Sequence, residues 1–149
     1  MEINTKFHGN VEIDSDKIVR FEQGLPGFEE EKEFYILLLE EGADFFVLQS
    51  VETPILAFVM IDPFLYFKEY AVEISDDVKE LLKIQETNEV VIFSLLTIKE
   101  ELKSVTANLQ GPIVINDRLK KGKQVILVDS DYKTKHELLL FKEQKEGSK

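Results

Sequence analysis

The sequence predicts a mainly β fold: a small antiparallel β-barrel-like single domain with one or two short α-helices. Three observations carry this prediction. Most apolar residues fall in short runs closed by Gly, Pro, Asn or Asp, as strands between turns do. Residues 104–109 alternate, with Val105, Ala107 and Leu109 apolar and Ser104, Thr106 and Asn108 polar, the period of a half-buried strand. Only one helix is well signalled, and no strand–helix–strand alternation supports a doubly wound sheet. The 149 residues favour one domain, expected over residues 1–141, with 142–149 a polar tail. A chain of this size buries roughly 70% of the surface its unfolded form exposes, enough for a core.

Taken in order, residues 18–21 read as a strand leading into the bend Gly24-Leu25-Pro26-Gly27. Pro26 fixes φ at the second position of a turn, and Gly27 supplies the positive φ of a type II turn at the third. Phe21 and Phe28 bracket the bend and can pin it to a core. Residues 34–39 are continuously apolar, predicting a strand buried on both faces. Glu40-Glu41-Gly42-Ala43-Asp44 is a turn, and residues 45–48 complete a hairpin. After the break at Pro54, residues 55–61 form another strand, stopped by Asp62-Pro63. Phe64, Tyr66 and residues 70–72 are read as a further extended piece.

Ser75 is a good N-cap, Asp76 and Asp77 suit a first helical turn, and Val78, Leu81 and Leu82 share a face. That helix is predicted to end near Gln85. Thr87-Asn88 turns into 90–98, apolar on both faces. Gly111-Pro112 interrupts the alternating strand, and 113–115 resume it. Lys120-Lys121-Gly122-Lys123 reads as a basic turn before a strand at 125–128. Residues 132–141 are read as a short C-terminal helix capped by Asp129 or Ser130.

Charge narrows the function. The net charge is −11, and it is uneven. Residues 1–75 hold 16 acids and 5 bases, a net of −11, whereas residues 76–149 hold 13 of each. Nucleic-acid affinity comes largely from neutralising phosphates, so direct RNA or DNA binding is not expected. A basic partner would be attracted. There is no cysteine, which excludes disulfides, thiolate metal sites and thiol nucleophiles. The first ten residues mix Glu2, Asn4 and Lys6 among apolar ones, and no run approaches the ~20 apolar residues of a membrane helix. A cytoplasmic location without membrane contact is expected.

No catalytic motif emerges. His8 and His136 stand far apart in sequence with no metal-ligand spacing, so no metal and no cofactor is expected. Asp129-Ser130-Asp131 starts like a calcium loop, but Lys133, Thr134 and Leu140 fall where such a loop needs a ligand, a glycine and a glutamate. Candidate partner-contact residues are Phe28, Glu29, Glu30, Glu31 and Glu33 at the bend, with Gln49, Glu52, Asp62, Asn108 and Asn116 at strand ends. Each has a plainer reading: a solvated acidic face for the glutamates, and satisfaction of turn backbone for the others. Of the eleven phenylalanines, Phe45, Phe46, Phe58, Phe64, Phe67 and Phe93 lie in or beside predicted strands. Most are core, and a few can line a groove for an apolar helix. The alternative to a binding protein is a small-ligand-binding or carboxylate-dependent enzymatic β-barrel.

The marked residues form an ordered set. Phe21-x-x-Gly24-Leu25-Pro26-Gly27-Phe28-Glu29 is followed by Phe46-x-Leu48-Gln49-Ser50, Pro54-x-Leu56-Ala57-Phe58 and Asp62-Pro63. Thr106-x-Asn108-Leu109-x-x-Pro112-Ile113-x-Ile115-Asn116 completes it. The set resembles the flagellar assembly factor FliW family over residues 2–140. The resemblance implies a small β-barrel-like cytoplasmic protein that is not an enzyme. It implies binding of CsrA, a basic RNA-binding repressor, which is thereby kept from silencing flagellin messenger RNA. It also implies binding of newly made flagellin, which frees CsrA to repress. Self-association is left open.

Overall fold

In the computed structural model, eleven strands and two short helices are described over residues 1–42, 44–98, 105–128 and 130–138. The strands are β1 (Glu2–Thr5), β2 (Gly9–Glu12), β3 (Val19–Arg20), β4 (Glu33–Leu38), β5 (Phe45–Ser50) and β6 (Ala57–Ile61). Helices α1 (Pro63–Tyr66) and α2 (Asp76–Leu81) follow. Strands β7 (Val90–Ile98), β8 (Val105–Ala107), β9 (Ile113–Asn116), β10 (Lys121–Gln124) and β11 (His136–Glu137) complete the chain.

Strands β3 to β7, β9 and β10 form a barrel-like ring. Consecutive strands β3–β4–β5–β6–β7 pair antiparallel, with Phe34 opposite Ser50 and Phe46 opposite Met60. One edge of the long strand β7 is shared. Its first half pairs with β9, with Phe93 opposite Ile113, and its last residues pair with β8, with Leu96 opposite Ala107. Gly111-Pro112 is the break that lets one edge serve two strands. The ring is closed by a single parallel rung, Lys121 opposite Arg20, where the Arg20 amide donates to the Lys120 carbonyl at 2.9 Å. The phenyl ring of Phe21 lies over Gly122 beside this rung, where a Cβ would come within 2.7 Å of it.

Strand alternation sorts side chains to two faces. Val19, Phe21, Leu25, Phe34, Leu48, Met60, Ile113 and Ile115 are buried together, with Phe46, Phe58 and Phe93 packed against them. Phe21 and Phe34 meet edge to face at 5.3 Å, and Phe46 meets Phe93 at 5.2 Å. The ring interior is thus filled by side chains. Outside, the β1–β2 hairpin, which the sequence did not signal, lies against β4 and β5. Its Lys6 amide donates to Gln49 Oε1, and Tyr35 Oη accepts from the Asp14 amide. Ile3 and Ile13 are buried there.

Several expectations are corrected. Strand β4 is not buried on both faces: only Phe34 is fully buried, and Leu38 is 48% exposed at the ring's end. Strand β7 likewise exposes Val91 and Ile98. Asp62-Pro63 does not merely stop β6; the Asp62 side chain accepts from the Phe64 amide and Pro63 occupies the first turn, so Phe64 and Tyr66 lie in helix α1. Helix α2 ends at Leu81 because Lys83 adopts φ +55°. The predicted basic turn at 120–123 is mostly strand β10, which pairs with β9, while 125–128 is not assigned as strand. The predicted C-terminal helix is not found within its described part: His136 and Glu137 pair with β8 as strand β11. Ser130 caps no helix; its hydroxyl donates to the Leu127 carbonyl. Residues 139–141 of that predicted helix, the tail 142–149, Ser104 and Asp129 lie outside the described residues.

Candidate functional site

The candidate site is the end of the ring where β3 leaves, β4 begins, and the β5–β6 turn crosses. It is built from residues 21–32 and 51–56. Leu25-Pro26-Gly27-Phe28 is the turn that Pro26 and Gly27 predict: Gly27 has φ +86°, and the Phe28 amide donates to the Leu25 carbonyl at 2.7 Å. Gly24, at φ +63°, bends the chain again, and its α-carbon lies so near the backbone of Phe28 and Glu29 that a Cβ would sit 2.6 Å from it. Phe21 and Leu25 anchor this loop in the core. Phe28 remains 40% exposed and rests edge to face on Phe58 at 5.5 Å.

The four glutamates are not one solvated block. Glu29 Oε2 accepts from the Gly27 amide at 3.0 Å, which holds its carboxyl below the ordinary range. Glu30 is exposed. The Glu31 carboxylate turns back to the neighbouring turn, accepting from Ser50 Oγ at 2.6 Å and Thr53 Oγ1 at 2.8 Å. Glu33 pairs with Arg20 at 3.7 Å. Thus Glu31 ties the two loops together.

Gln49 fixes the second loop from below. It has no exposed surface, and its Nε2 donates to the carbonyls of Ser50, Pro54 and Leu56 at 3.0–3.3 Å. Ser50 Oγ accepts from the Thr53 amide at 3.0 Å. The locked turn holds Ile55 outward, 79% exposed, with Glu52 exposed near it in the same turn. The outer surface of this end thus carries Phe28 and Ile55 as apolar points and Glu29, Glu30 and Glu52 as acids. Ile55 was missed because the apolar run 55–61 absorbs it, whereas the strand starts only at Ala57. The signal was Pro54, whose position puts Ile55 inside the turn.

The structure gathers Phe28, Glu29, Glu30, Glu31, Glu33, Gln49 and Glu52 at this end and leaves the other three elsewhere. Asp62 caps α1. Asn108 accepts from the Gly111 amide at 2.8 Å, shaping the break between β8 and β9. Asn116 has no exposed surface: it donates to the carbonyls of Leu82 and Lys83 and accepts from the amides of Arg118 and Leu119. With their side chains enclosed and spent on backbone, Gln49 and Asn116 present nothing to a molecule docking on the folded surface; turn satisfaction is their role. Next to the site, Lys121 bonds Glu22 at 3.1 Å and holds that carboxyl below its usual range.

Among the described residues no group of His, Asp and Glu is placed to hold a metal ion. His8 Nε2 lies 2.9 Å from the Leu39 carbonyl. His136 Nε2 accepts from the Lys133 amide at 2.7 Å, and burial lowers its pKa. No helix among the described residues is long and apolar enough to cross a membrane.

Comparison with known proteins identifies the scaffold. The family model described as FliW protein matches residues 2–138. The flagellar assembly factor FliW of Geobacillus sp. (strain WCH70) is 53% identical over 138 residues, covering 93% of this chain and 95% of that protein. The flagellar assembly factor FliW of Bacillus subtilis (strain 168) is 44% identical over 136 residues, covering 91% of this chain and 95% of that one. A crystal structure of the flagellar assembly factor FliW superposes with a TM-score of 0.86 at 50% identity, covering 92% of this chain and 96% of that one. With the sequence motifs, the ring and the matches in agreement over nearly the whole chain, this protein belongs to the FliW family of flagellar assembly factors.

Proposed function

We propose that this chain is a non-enzymatic regulator of the cytoplasm that binds CsrA, prevents it from repressing flagellin messenger RNA, and exchanges it for flagellin. The observation that carries the reading is the ring end described above, where Phe28 and Ile55 stand exposed among Glu29, Glu30 and Glu52. An apolar point supplies contact area, and surrounding acids steer a basic partner while repelling RNA phosphates held by it. The loops carrying these residues are fixed in advance by Glu31 and Gln49, so little ordering opposes binding. The ring interior is filled by side chains, which supports a flagellin contact on the outer surface of the protein.

The test mixes purified protein with CsrA at low and high salt and then adds flagellin. A complex that weakens as salt rises and is displaced by flagellin supports the proposal. Absence of a complex with either protein at low salt refutes it.

A further inference from the structure

Residues 125–128, Val-Ile-Leu-Val, continue the chain beyond β10, and among the described residues they are paired on one side only. The Val125 amide donates to the Pro112 carbonyl at 2.9 Å and the Leu127 amide to the Gln110 carbonyl at 2.8 Å. Such alternation is that of a strand. The amides of Ile126 and Val128 find no acceptor among the described residues, and their side chains are 53% and 78% exposed. Across a gap of about 470 Å³ stand Ala71, Glu73 and Ser75, alternate residues of the segment leading to α2. The amides of Val72, Glu73 and Ile74 also lack an acceptor among the described residues. Two chain segments whose backbone amides are unpaired among the described residues therefore border one slot, and the exposed apolar pair Ile126 and Val128 belongs to it.

We propose that this slot receives an extended, positively charged segment of a partner protein, which adds to 125–128 as a further strand. Unpaired amides call for carbonyls at strand spacing, which an extended backbone supplies and a helix does not. Glu73 is the one charged residue among the described residues lining the slot, and Asp76 and Asp77 follow in the first turn of α2. A basic side chain flanking the added strand is matched by these acids. A second copy of this chain is disfavoured, because it brings another Glu73 and a net charge of −11. The proposal does not rest on CsrA or flagellin being the partner.

The probe is a synthetic peptide of alternating lysine and valine, compared with an alternating glutamate–valine peptide, with amide hydrogen exchange of the intact protein as readout. The basic peptide is expected to slow exchange at Ile126 and Val128. Glu73→Lys is expected to weaken its binding about tenfold, and Ile126→Pro, which removes one donor, to abolish the protection. Glu73 is exposed, so its replacement tests the slot even if the proline variant does not fold. No slowing at these amides, or equal binding of the acidic peptide, overturns the proposal. So does slowing that arises without peptide as protein concentration rises, which would make the occupant a second copy.

Discussion

Gly24 and Gly27 share a positive φ but not the same surroundings, and this separates their contributions. At Gly27 a Cβ would meet nothing within 4 Å, so Gly27→Ala carries only the conformational cost of about 1–2 kcal/mol. At Gly24 the added carbon would also press on the backbone of Phe28 and Glu29, and Gly24→Ala is expected to cost roughly 2–4 kcal/mol, because backbone cannot rotate aside. Thermal unfolding of both variants checks the order; a larger loss at Gly27 would contradict it. Gln49→Ala strands the Lys6 amide and removes the donor for three turn carbonyls. A loss of about 1–3 kcal/mol is expected, with faster hydrogen exchange in 50–56. At this scale the sequence showed the type II turn, because Pro26 and Gly27 each have one strong backbone preference. It did not show which glutamate is withdrawn from solvent. Glu31 differs from Glu30 only in facing Ser50 and Thr53, and that partnership depends on how β4 and β5 align.

The elements were legible where local signals agree and less so where tertiary contacts decide. Helix α2 shows the first case at its start, since the Ser75 side chain accepts from the Val78 amide as the sequence predicts. Strand β11 shows the second: 132–138 has enough helical character to mislead, but the free edge of β8 takes His136 and Glu137. The bond from the Lys133 amide requires an unprotonated His136 Nε2, and burial lowers that histidine's pKa. A depressed value means the unfolded chain takes up the proton first as pH falls. Stability from this contact is present above the ordinary value of 6.5 and is lost on acidification below it. Protection of the Leu138 amide, bonded to the Val105 carbonyl at 2.8 Å, measured against its intrinsic exchange rate at each pH, is expected to fall between neutral and mildly acidic pH. His136→Gln should remove most of that dependence. Tyr70 gives the opposite sign. It is 5% exposed, its hydroxyl donates to the Leu109 carbonyl at 2.7 Å, and burial, with Tyr132 beside it, pushes its pKa up. The folded state keeps a proton that the unfolded state releases, so stability is retained below pH 10 and falls as pH rises past it. Alkaline denaturation of Tyr70→Phe, which lacks the ionisable group and loses about 1 kcal/mol with the bond, should show a weaker pH dependence.

Across the whole molecule, charge and connectivity set the behaviour. The excess of −11 resides in residues 1–75, and the ring end gathers Glu29, Glu30 and Glu52 from that half. Replacing these three by lysine is expected to weaken binding of CsrA about 10–100-fold at low salt, mostly through slower association, with less effect at high salt. Surface plasmon resonance across a salt series checks this, and undiminished association would reassign the acids to solubility. The parallel rung between Arg20 and Lys121 has a further consequence, which concerns synthesis rather than binding. The loops of the candidate site lie early in the chain, yet the strand that closes the ring beside them comes from its last quarter. Lys121 and Lys123, which hold Glu22 and Gln23, and Gly122, on which Phe21 rests, are absent until then. A chain still on the ribosome therefore carries the candidate contact residues without the closing strand that braces their loop. On the proposed function, binding is therefore expected only once the closing strand has been made, because that long-range contact forms last in synthesis.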